Sequence, residues 1–463
     1  MTQPDLCAVL AKHVAATQYE SLSADAVEGA RQSVLDMLGV MLAAGGMERA
    51  VQDVVAIARE EGGVPECSLI GFGGRVSALA AAFANGAMAH ALDFDDQTPW
   101  GQHSGSAMLP AVFAVAERRA ARGTAVSGRE MITAIAVGQD LFHRLIANVN
   151  WKKDWNFSTA IGVYCATAAC ARLMRLPTEQ VAAAFGIASM QSCGTMAVIN
   201  ATGSDLRALY AAFPARGAVT AALMAEKGIS GVPTIFEGSL GIFDIYFQGQ
   251  YQRERMLDGL GRTFSGGRTL YKQWPAVGTS HSHVHAAIQL VREHAIRPDQ
   301  IDRIRIFVGD YHRLMCEPLD TRRRPTTLVD AKFSLPYLVA VAAARGAMGL
   351  GDFTPDALQD PTVLSLAARI QPVDDASLDW RGELPLGRVE IHLTDGRIVE
   401  RVGQDVPGSA AAPLGWEGVV RKFIDCAGFA PRTLSRERIE DVHRFLQRME
   451  HQEDATGVLR MVA

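Results

Sequence analysis

The spacing of apolar residues divides the chain into two parts with different predicted structure. Through about the first 260 residues, apolar positions recur every three or four residues and β-branched alternation is nearly absent, as is typical of helices. Segment 27–44 shows this spacing, and Gly45-Gly46 is predicted to end its helix. Ser127 and Glu130 have the spacing of a capping box, which marks another helix start.

After about residue 265 the pattern changes to alternating polar and apolar positions. Segments 303–308 and 388–394 alternate in this way, and Asp395-Gly396 predicts a hairpin turn into 397–400. A buried helix is predicted between these strands. Helical spacing then returns near the end of the chain, which predicts that the last segment packs against the first part.

The predicted fold is therefore mainly α with a smaller α+β domain. The helical domain is discontinuous and comprises residues 1–265 and 405–463, and the α+β domain comprises 266–404. Inside the second domain, the buried helix is placed at 333–344. The arginine-rich run 322–325 is predicted to be a solvent-facing loop.

Composition narrows the class of protein. The 463 residues carry 45 Lys and Arg against 50 Asp and Glu, a net charge of -5 that disfavours nucleic acid as a partner. No apolar run approaches the roughly 18 to 20 residues of a membrane span, and the start of the chain lacks a secretory signal. Seven cysteines occur without a C-x-x-C pair. We expect a cytoplasmic protein that does not span a membrane.

The densest polar cluster follows a predicted helix. Three carboxylates and two histidines bracket a loop that contains Pro and Gly: His90, Asp93, Asp95, Asp96 and His103. Carboxylates this close repel one another and shift their pKa values, which suits acid/base chemistry. The alternative is a hydrated helix terminus.

A second cluster lies where the two patterns meet. It contains Lys272 and the alternating histidines His281, His283 and His285. One hypothesis is a metal-dependent hydrolase in which these imidazoles and a carboxylate from 93–96 bind zinc. Packing or helix capping is the favoured interpretation of His283 and His285, and His281 with Lys272 is the favoured catalytic pair.

Taken in order, these motifs resemble the MmgE/PrpD family. The resemblance rests on four groups of residues: His90-Ala-Leu-Asp-Phe-Asp-Asp96; His103 with Gly105 and Leu109-Pro110; Lys272-x-Trp-Pro275 with His281; and Phe333-Ser-Leu-Pro-Tyr337. It implies an all-helical domain with a lid-like α+β domain, a homodimer, and no metal or organic cofactor. It also implies an active site between the domains that binds di- or tricarboxylates.

Site residues follow from the resemblance position by position. The matching catalytic positions are Asp93, His103, Lys272 and His281, and the substrate-binding positions are Gln97, Asn156, Arg207 and Tyr337. Three positions depart from the family pattern. A threonine is usual at Gln97, a histidine at Asn156 and a lysine at Arg207. Without the resemblance, Arg207 is a surface cation and Tyr337 is as well explained as a core aromatic.

The predicted function is a cofactor-independent lyase that abstracts a proton α to a carboxylate of a small di- or tricarboxylate. Family activities include dehydration of 2-methylcitrate, decarboxylation of cis-aconitate and epimerisation of iminodisuccinate. His103 and His281 are candidate proton carriers, and Lys272 and Arg207 would neutralise carboxylates. Because Asn156 removes one candidate acid, an epimerase or isomerase is the alternative. A non-catalytic carboxylate-binding protein is a further one.

Overall fold

The computed structural model describes residues 4–463, and the first part of it is helical. Its helices are α1 (Leu6–Ala16), α2 (Ala24–Met47), α3 (Arg49–Glu60), α4 (Ala78–His90), α5 (Gly105–Ala121), α6 (Gly128–Ile146), α7 (Phe157–Ala160), α8 (Gly162–Leu173), α9 (Thr178–Ala188), α10 (Ala197–Asn200), α11 (Leu206–Leu209), α12 (Ala212–Glu226), α13 (Ile242–Phe247) and α14 (Arg253–Leu257). Two short antiparallel strands, β1 (Cys67–Ser68) and β2 (Arg75–Val76), lie between α3 and α4. Helices α4, α5, α8 and α12 pack on one another.

Two predicted helix features had different outcomes. The capping box is confirmed, because the Ser127 hydroxyl accepts from the Glu130 amide and the Glu130 side chain accepts from the Ser127 amide. The predicted stop at Gly45-Gly46 is wrong, since α2 continues to Met47. A Cβ at Gly46 would lie 1.9 Å from the carbonyl oxygen of Phe429. This glycine allows a close approach of the C-terminal segment and does not end the helix.

The second part of the chain forms a small mixed sheet with helices. Its elements are α15 (His281–Glu293), β3 (Ile301–Val308), α16 (Asp310–Arg313), α17 (Leu319–Arg323), α18 (Leu328–Ala331), α19 (Leu335–Arg345), α20 (Pro361–Ala368), β4 (Ile370–Asp374), β5 (Arg388–Leu393) and β6 (Ile398–Val402). The strand order is β4-β3-β5-β6, with β3 and β4 parallel and the other pairs antiparallel. Helix α15 packs on β5, β6 and α19.

The predicted strands and the β5–β6 hairpin are confirmed, and β4 is an element that the pattern missed. Pro372 lies within β4 and cannot donate a backbone hydrogen bond. For this reason, a proline in the sequence disfavours the prediction of a strand. Because β4 is at the edge of the sheet, that missing donor is tolerated.

Arg322 corrects the prediction of a solvent-facing loop. It is 3% exposed, and its guanidinium donates to the carbonyls of Glu317, Phe333 and Leu314. A guanidinium can satisfy several buried carbonyls at once because it has five donors. This run therefore stabilises the interior of the second domain.

The end of the chain returns to the helical part. Its helices are α21 (Gly415–Ala427), α22 (Arg436–Gln447) and α23 (Gly457–Val462). Val419 and Phe423 of α21 belong to the same hydrophobic core as α2, and a Cβ at Gly39 would lie 3.2 Å from the Phe423 Cα. The first and last segments of the chain thus share one core.

One helical stretch in the described residues, Leu206–Glu226, has the length and apolar composition of a membrane span. Two thirds of it (67%) is buried inside the fold, where α12 packs on α4, α8 and α9. Its apolar character is accounted for by this packing in the helical core.

The helical and sheet-containing parts meet through charged and aromatic contacts. The Lys153 ammonium lies 2.6 Å from the Asp310 carboxylate, and the rings of Trp151 and Trp380 are 5.4 Å apart. These contacts join the loop before α7 to the second domain, close to the residues described next.

Candidate active site

The acidic segment begins where α4 ends. Asp93 has a φ of 47°, in the left-handed region that Asp tolerates better than most residues, and its amide donates to the His90 carbonyl. The turn directs the following residues into the interior, where Asp95 and Asp96 are fully buried. The predicted cluster is therefore a buried loop and not a hydrated helix terminus.

Asp95 lies between two imidazoles. Its carboxylate oxygens are 3.0 Å from His90 Nδ1 and 3.1 Å from His103 Nδ1. His103 Nδ1 is also 2.7 Å from the Asp96 carbonyl. Because both neighbours of His103 Nδ1 are acceptors, this nitrogen carries a hydrogen. The other ring nitrogen, Nε2, faces Asp93 at 3.9 Å and is available to a substrate.

The two histidines differ in charge. Burial lowers the pKa of His90 despite the nearby Asp95 carboxylate, so His90 is neutral. Burial opposes the charge on His103 as well, but the Asp95 carboxylate outweighs it and raises the pKa of His103. Burial would raise the pKa of Asp95, yet His103 and His90 hold it well below its usual range. The two groups thus favour a buried ion pair, in which the charged His103 also carries a proton on Nε2.

Asp96 has a different role from its neighbours. Its carboxylate accepts from the Ser104 hydroxyl at 2.6 Å and from the Gly105 amide at 3.0 Å, at the N-terminus of α5. An acidic group at this end satisfies helix amides that lack partners within the helix. Asp96 therefore fixes the loop to α5 and so orients His103.

Lys272 reaches the loop from the other part of the chain. Its ammonium contacts the Asp93 carboxylate and donates to the Asp93 carbonyl at 2.8 Å. Burial alone would raise the pKa of Asp93, but the Lys272 charge holds it below its usual range. The segment before Lys272 is held in place because Gln97 and Leu270 exchange two backbone hydrogen bonds of 2.8 Å.

Arg207 is a buried cation next to this cluster. It is 5% exposed, its guanidinium carbon lies 3.2 Å from the centre of the Phe333 ring, and the Asp93 carboxylate acts on its charge. Burial lowers the pKa of Arg207 to about 9, so it remains a cation at neutral pH. Within the part of the chain that the structure describes, its Nε has no hydrogen-bond partner and the side chain forms no ion pair. The fork of its guanidinium is suited to a carboxylate.

Two other departures from the family pattern also have unused polar atoms. Asn156 caps α7, where its Oδ1 accepts from the Ser158 amide, while its Nδ2 is buried without a partner in the described residues. The Ser158 hydroxyl in turn accepts from the His103 amide at 3.0 Å. Gln97 Oε1 is likewise buried and unpaired in residues 4–463. Each of these groups retains a hydrogen-bonding capacity that a ligand can use.

The three alternating histidines do not form a metal site. They occupy the first turn of α15, where His281 Nε2 donates to the Ala276 carbonyl and His283 Nε2 donates to the Phe307 carbonyl, while His285 lies against Trp274. The helix sends His283 away from His281 and His285. The hydrolase hypothesis built on this trio is therefore wrong. Burial lowers the pKa of His281 to about 3, so this imidazole is neutral.

A different group of four side chains has spacing that a metal ion accepts. Ligand atoms of His90, Asp93, Asp95 and His103 lie within 4.8 Å of one another. The imidazoles already hydrogen-bond to Asp95, and the Lys272 ammonium neutralises Asp93. This charge balance is complete without a cation.

Tyr337 is placed apart from the cluster. Its hydroxyl donates to the Asp352 carbonyl at 2.9 Å, and its ring lies in the core of the second domain. A different tyrosine from that domain, Tyr311, faces the site. Burial raises the pKa of Tyr311 to about 12, and the charges of Arg207 and Asp93 also act on its hydroxyl.

The structure therefore brings most of the predicted residues together. Asp93, His103 and Lys272 are joined by short contacts, and Arg207 and His281 lie within reach of the charge on Asp93. Sequence reasoning missed Tyr311 because Gly309-Asp-Tyr311 has no distinctive pattern. Gln97 and His281 also line a cleft of about 770 Å³ between the two parts of the molecule, through which a ligand can reach these two side chains.

The molecule is thus a two-domain, mainly helical protein with a buried acid/base and cationic site. Residues 8–254 match the MmgE/PrpD N-terminal domain and residues 274–448 match the MmgE/PrpD C-terminal domain. The chain belongs to the MmgE/PrpD family.

Three relatives show how far the similarity extends. Cis-aconitate decarboxylase-like protein oryM of Aspergillus oryzae is 27% identical over 99% of this chain and 97% of its own length. Cis-aconitate decarboxylase of Aspergillus terreus is 27% identical over 86% and 83% of the two chains. The mitochondrial 2-methylcitrate dehydratase of Yarrowia lipolytica is 23% identical over 72% and 66%.

Proposed function

We propose that this protein is a lyase that acts on a small polycarboxylate, with decarboxylation as the favoured reaction. One observation carries the proposal. His103, whose charged form Asp95 favours, and two buried cations, Lys272 and Arg207, all act on Asp93, and Arg207 forms no ion pair within the described residues. Such a site can bind a carboxylate and deliver a proton next to it.

The resting protonation states favour one lyase reaction over the other. His103 is a proton donor, whereas the two groups that could accept a proton are weak bases: Asp93 has a lowered pKa and His281 has a pKa of about 3. A reaction that needs an acid first is therefore easier here than one that needs a base first.

Decarboxylation of an unsaturated tricarboxylate needs only an acid. The carbon–carbon bond to one carboxylate breaks, carbon dioxide leaves, and the electron pair spreads onto the neighbouring unsaturated carboxylate. Lys272 and Arg207 stabilise that charge, and His103 Nε2 gives its proton to carbon. The products are carbon dioxide and a dicarboxylate, and solvent returns the proton to His103.

Elimination of water is the second candidate because a relative is a 2-methylcitrate dehydratase. A base would take the α proton, and His103 would protonate the departing hydroxide to give water. His281 is the available base, since its Nε2 donates to Ala276 and its Nδ1 retains a lone pair. Return of the proton to the other face of the same intermediate would give the epimerase.

Proton NMR in D₂O separates these reactions in one experiment. The panel contains cis-aconitate, citrate, 2-methylcitrate and an iminodisuccinate-type compound, with His103→Ala as the inactive variant. Loss of carbon dioxide with one deuterium on carbon supports the decarboxylase, and water loss supports the dehydratase. Deuterium in recovered substrate supports the epimerase. A folded protein that binds these compounds and turns over none would contradict the lyase and favour a binding protein.

Two further properties remain predictions. The resemblance implies a homodimer, which light scattering of the purified protein tests. The sequence pattern predicts a cytoplasmic location, which cell fractionation tests. Full activity in excess chelator is expected if no metal takes part.

A further inference from the structure

Three buried lysines from distant parts of the chain converge on one short segment. Lys272, Lys332 and Lys422 are 1%, 1% and 6% exposed. Lys332 donates to the carbonyl of Ala91, Lys272 to that of Asp93 and Lys422 to that of Phe94. We call the segment Ala91–Phe94 the catalytic turn.

The catalytic turn needs such donors because it has left its helix. Helix α4 ends at His90, so the carbonyls that follow lie outside the regular hydrogen-bond ladder. They are buried, and a buried carbonyl without a donor is costly. They also lie at the negative end of the helix dipole, where an ammonium is favoured. The lysines meet both requirements.

Two of the three lysines are bonded to the main chain of the turn and not to the catalytic carboxylates. The Lys422 ammonium pairs with Asp36 of α2 at 2.6 Å, and the Glu48 carboxylate acts on the charge of Lys332. Lys272 alone contacts the Asp93 carboxylate. Lys332 and Lys422 therefore hydrogen-bond to the backbone of the turn, although the charges of Asp93 and Asp95 also act on Lys332 from a distance.

We propose that Lys332 and Lys422 are positioning residues that hold the catalytic turn in the conformation that aims Asp93 and Asp95 at His103. The inference rests on the proposed function for its kinetic consequence, but its geometric part does not. Asp93 holds a left-handed conformation, and release of its neighbours would let the backbone relax away from it. The Asp95–His103 contact of 3.1 Å would then lengthen.

The test uses Lys422→Met, Lys332→Met and a matched control, Arg172→Met. Arg172 is also a buried cation that donates to a carbonyl, that of Thr17, in a region that carries none of the site residues. The double variant Asp36→Asn/Lys422→Met removes the carboxylate that Lys422 would otherwise leave buried and unpaired. Lys422→Arg restores a cation and should rescue in part.

The first readout is independent of any substrate. NMR titration of labelled histidines should show a lower pKa for His103 in the lysine variants, because its ion pair with Asp95 is loosened, whereas loss of a nearby positive charge alone would raise this pKa. No change is expected in Arg172→Met. The second readout is kinetic. We expect kcat to fall roughly 100-fold, the size of effect that a displacement of about 1 Å produces, with KM changed less than threefold.

Several results would overturn the proposal. They are an unchanged His103 titration with kcat within twofold in the folded variants, an increase in KM without loss of kcat, or an equal loss in Arg172→Met. If Lys422→Met fails to fold, the double variant and Lys332→Met decide by the same criteria. If wild-type enzyme turns over no polycarboxylate, the proposed function fails, while the His103 titration still decides whether the lysines position the turn.

Discussion

Two regions of the candidate site differ in how completely their polar groups are paired. Around Asp95, both imidazoles, three carboxylates and Lys272 have partners within hydrogen-bond or ion-pair distance. The second region comprises three polar atoms, Arg207 Nε, Asn156 Nδ2 and Gln97 Oε1, which are buried and unpaired among the described residues. We infer that the paired region is preorganised for proton transfer, whereas the unpaired region is completed by the substrate.

The largest effect is expected from the paired region. His103→Ala removes the proton donor and should lower kcat by roughly 10²- to 10⁴-fold. Carbon dioxide release or NMR measures this loss. His285→Ala is the matched control, because His285 is half-buried against Trp274 and has no role in the site. A loss below tenfold in His103→Ala would mean that another group supplies the proton.

Substitutions in the unpaired region should weaken substrate binding. Arg207→Met removes a charge-assisted pair with a substrate carboxylate, and KM should rise roughly 10- to 100-fold. Arg207→Lys keeps the charge without the fork and should fall between wild type and Met. Arg216→Met is the control, since Arg216 also lies over a phenylalanine ring but on the exposed surface. A KM that stays at the wild-type value would remove Arg207 from substrate binding.

The charge on His103 can be tested by pH. Its raised pKa keeps the imidazolium above pH 6.5, so activity should be lost as pH rises through the folded value. Asp95→Asn removes the carboxylate that raises this pKa, and the alkaline limb should move to lower pH. Each unit of movement costs about tenfold in activity above the limb. Asp140→Asn, which breaks a buried pair with Arg144, should leave the limb in place.

The stability that the Asp95–His103 ion pair adds is lost at both high and low pH. The raised pKa of His103 adds stability that is fully present below pH 6.5 and lost as pH rises through the folded value. The lowered pKa of Asp95 adds stability that is present above pH 3.8 and lost as pH falls. Wild type should therefore be most stable between these limits relative to Asp95→Asn, and melting curves across pH would show whether the difference shrinks at both ends.

The smallest effect on kinetics is expected from a substitution at Gly278, which lies against Gln97. A Cβ at Gly278 would lie 2.1 Å from Gln97 Oε1, so Gly278→Ala should displace this flexible amide. We expect KM to change about threefold, which corresponds to under 1 kcal/mol. In a Gln97→Ala background the same substitution should have no further effect, as a double-mutant cycle measures. Additive effects would show that Gly278 acts through something other than Gln97.

The paired region was visible in the sequence because its residues are neighbours there. His90, Asp93, Asp95 and His103 lie on one short loop, and their clustering alone predicts shifted pKa values. Only the family resemblance predicted that Arg207 belongs to the site, since nothing in its own segment distinguishes it from a surface cation. A local sequence pattern identifies residues that cluster along the chain, but it does not show which distant residues meet in the fold.

Contacts between distant segments were the part that the sequence could not provide. Tyr337 matched a family motif, yet its hydroxyl is used by Asp352 inside the second domain. Lys332 and Lys422 each look like ordinary charged residues on a helical segment, and only the fold shows that they donate to the catalytic turn. The fold class was easier to predict, because the apolar periodicity extends over many residues. A single error, such as the predicted helix end at Gly45-Gly46, does not change the predicted class.

The return of α21 to α2 sets an order of events during protein synthesis. Asp36 leaves the ribosome long before its partner Lys422, which follows it by several hundred residues. Burial of an unpaired Asp36 raises its pKa, with a value of about 6 even when Lys422 is present. The core that α2 shares with α21 therefore remains incomplete in a nascent chain until α21 has been translated. Until then, Asp36 lacks its cationic partner.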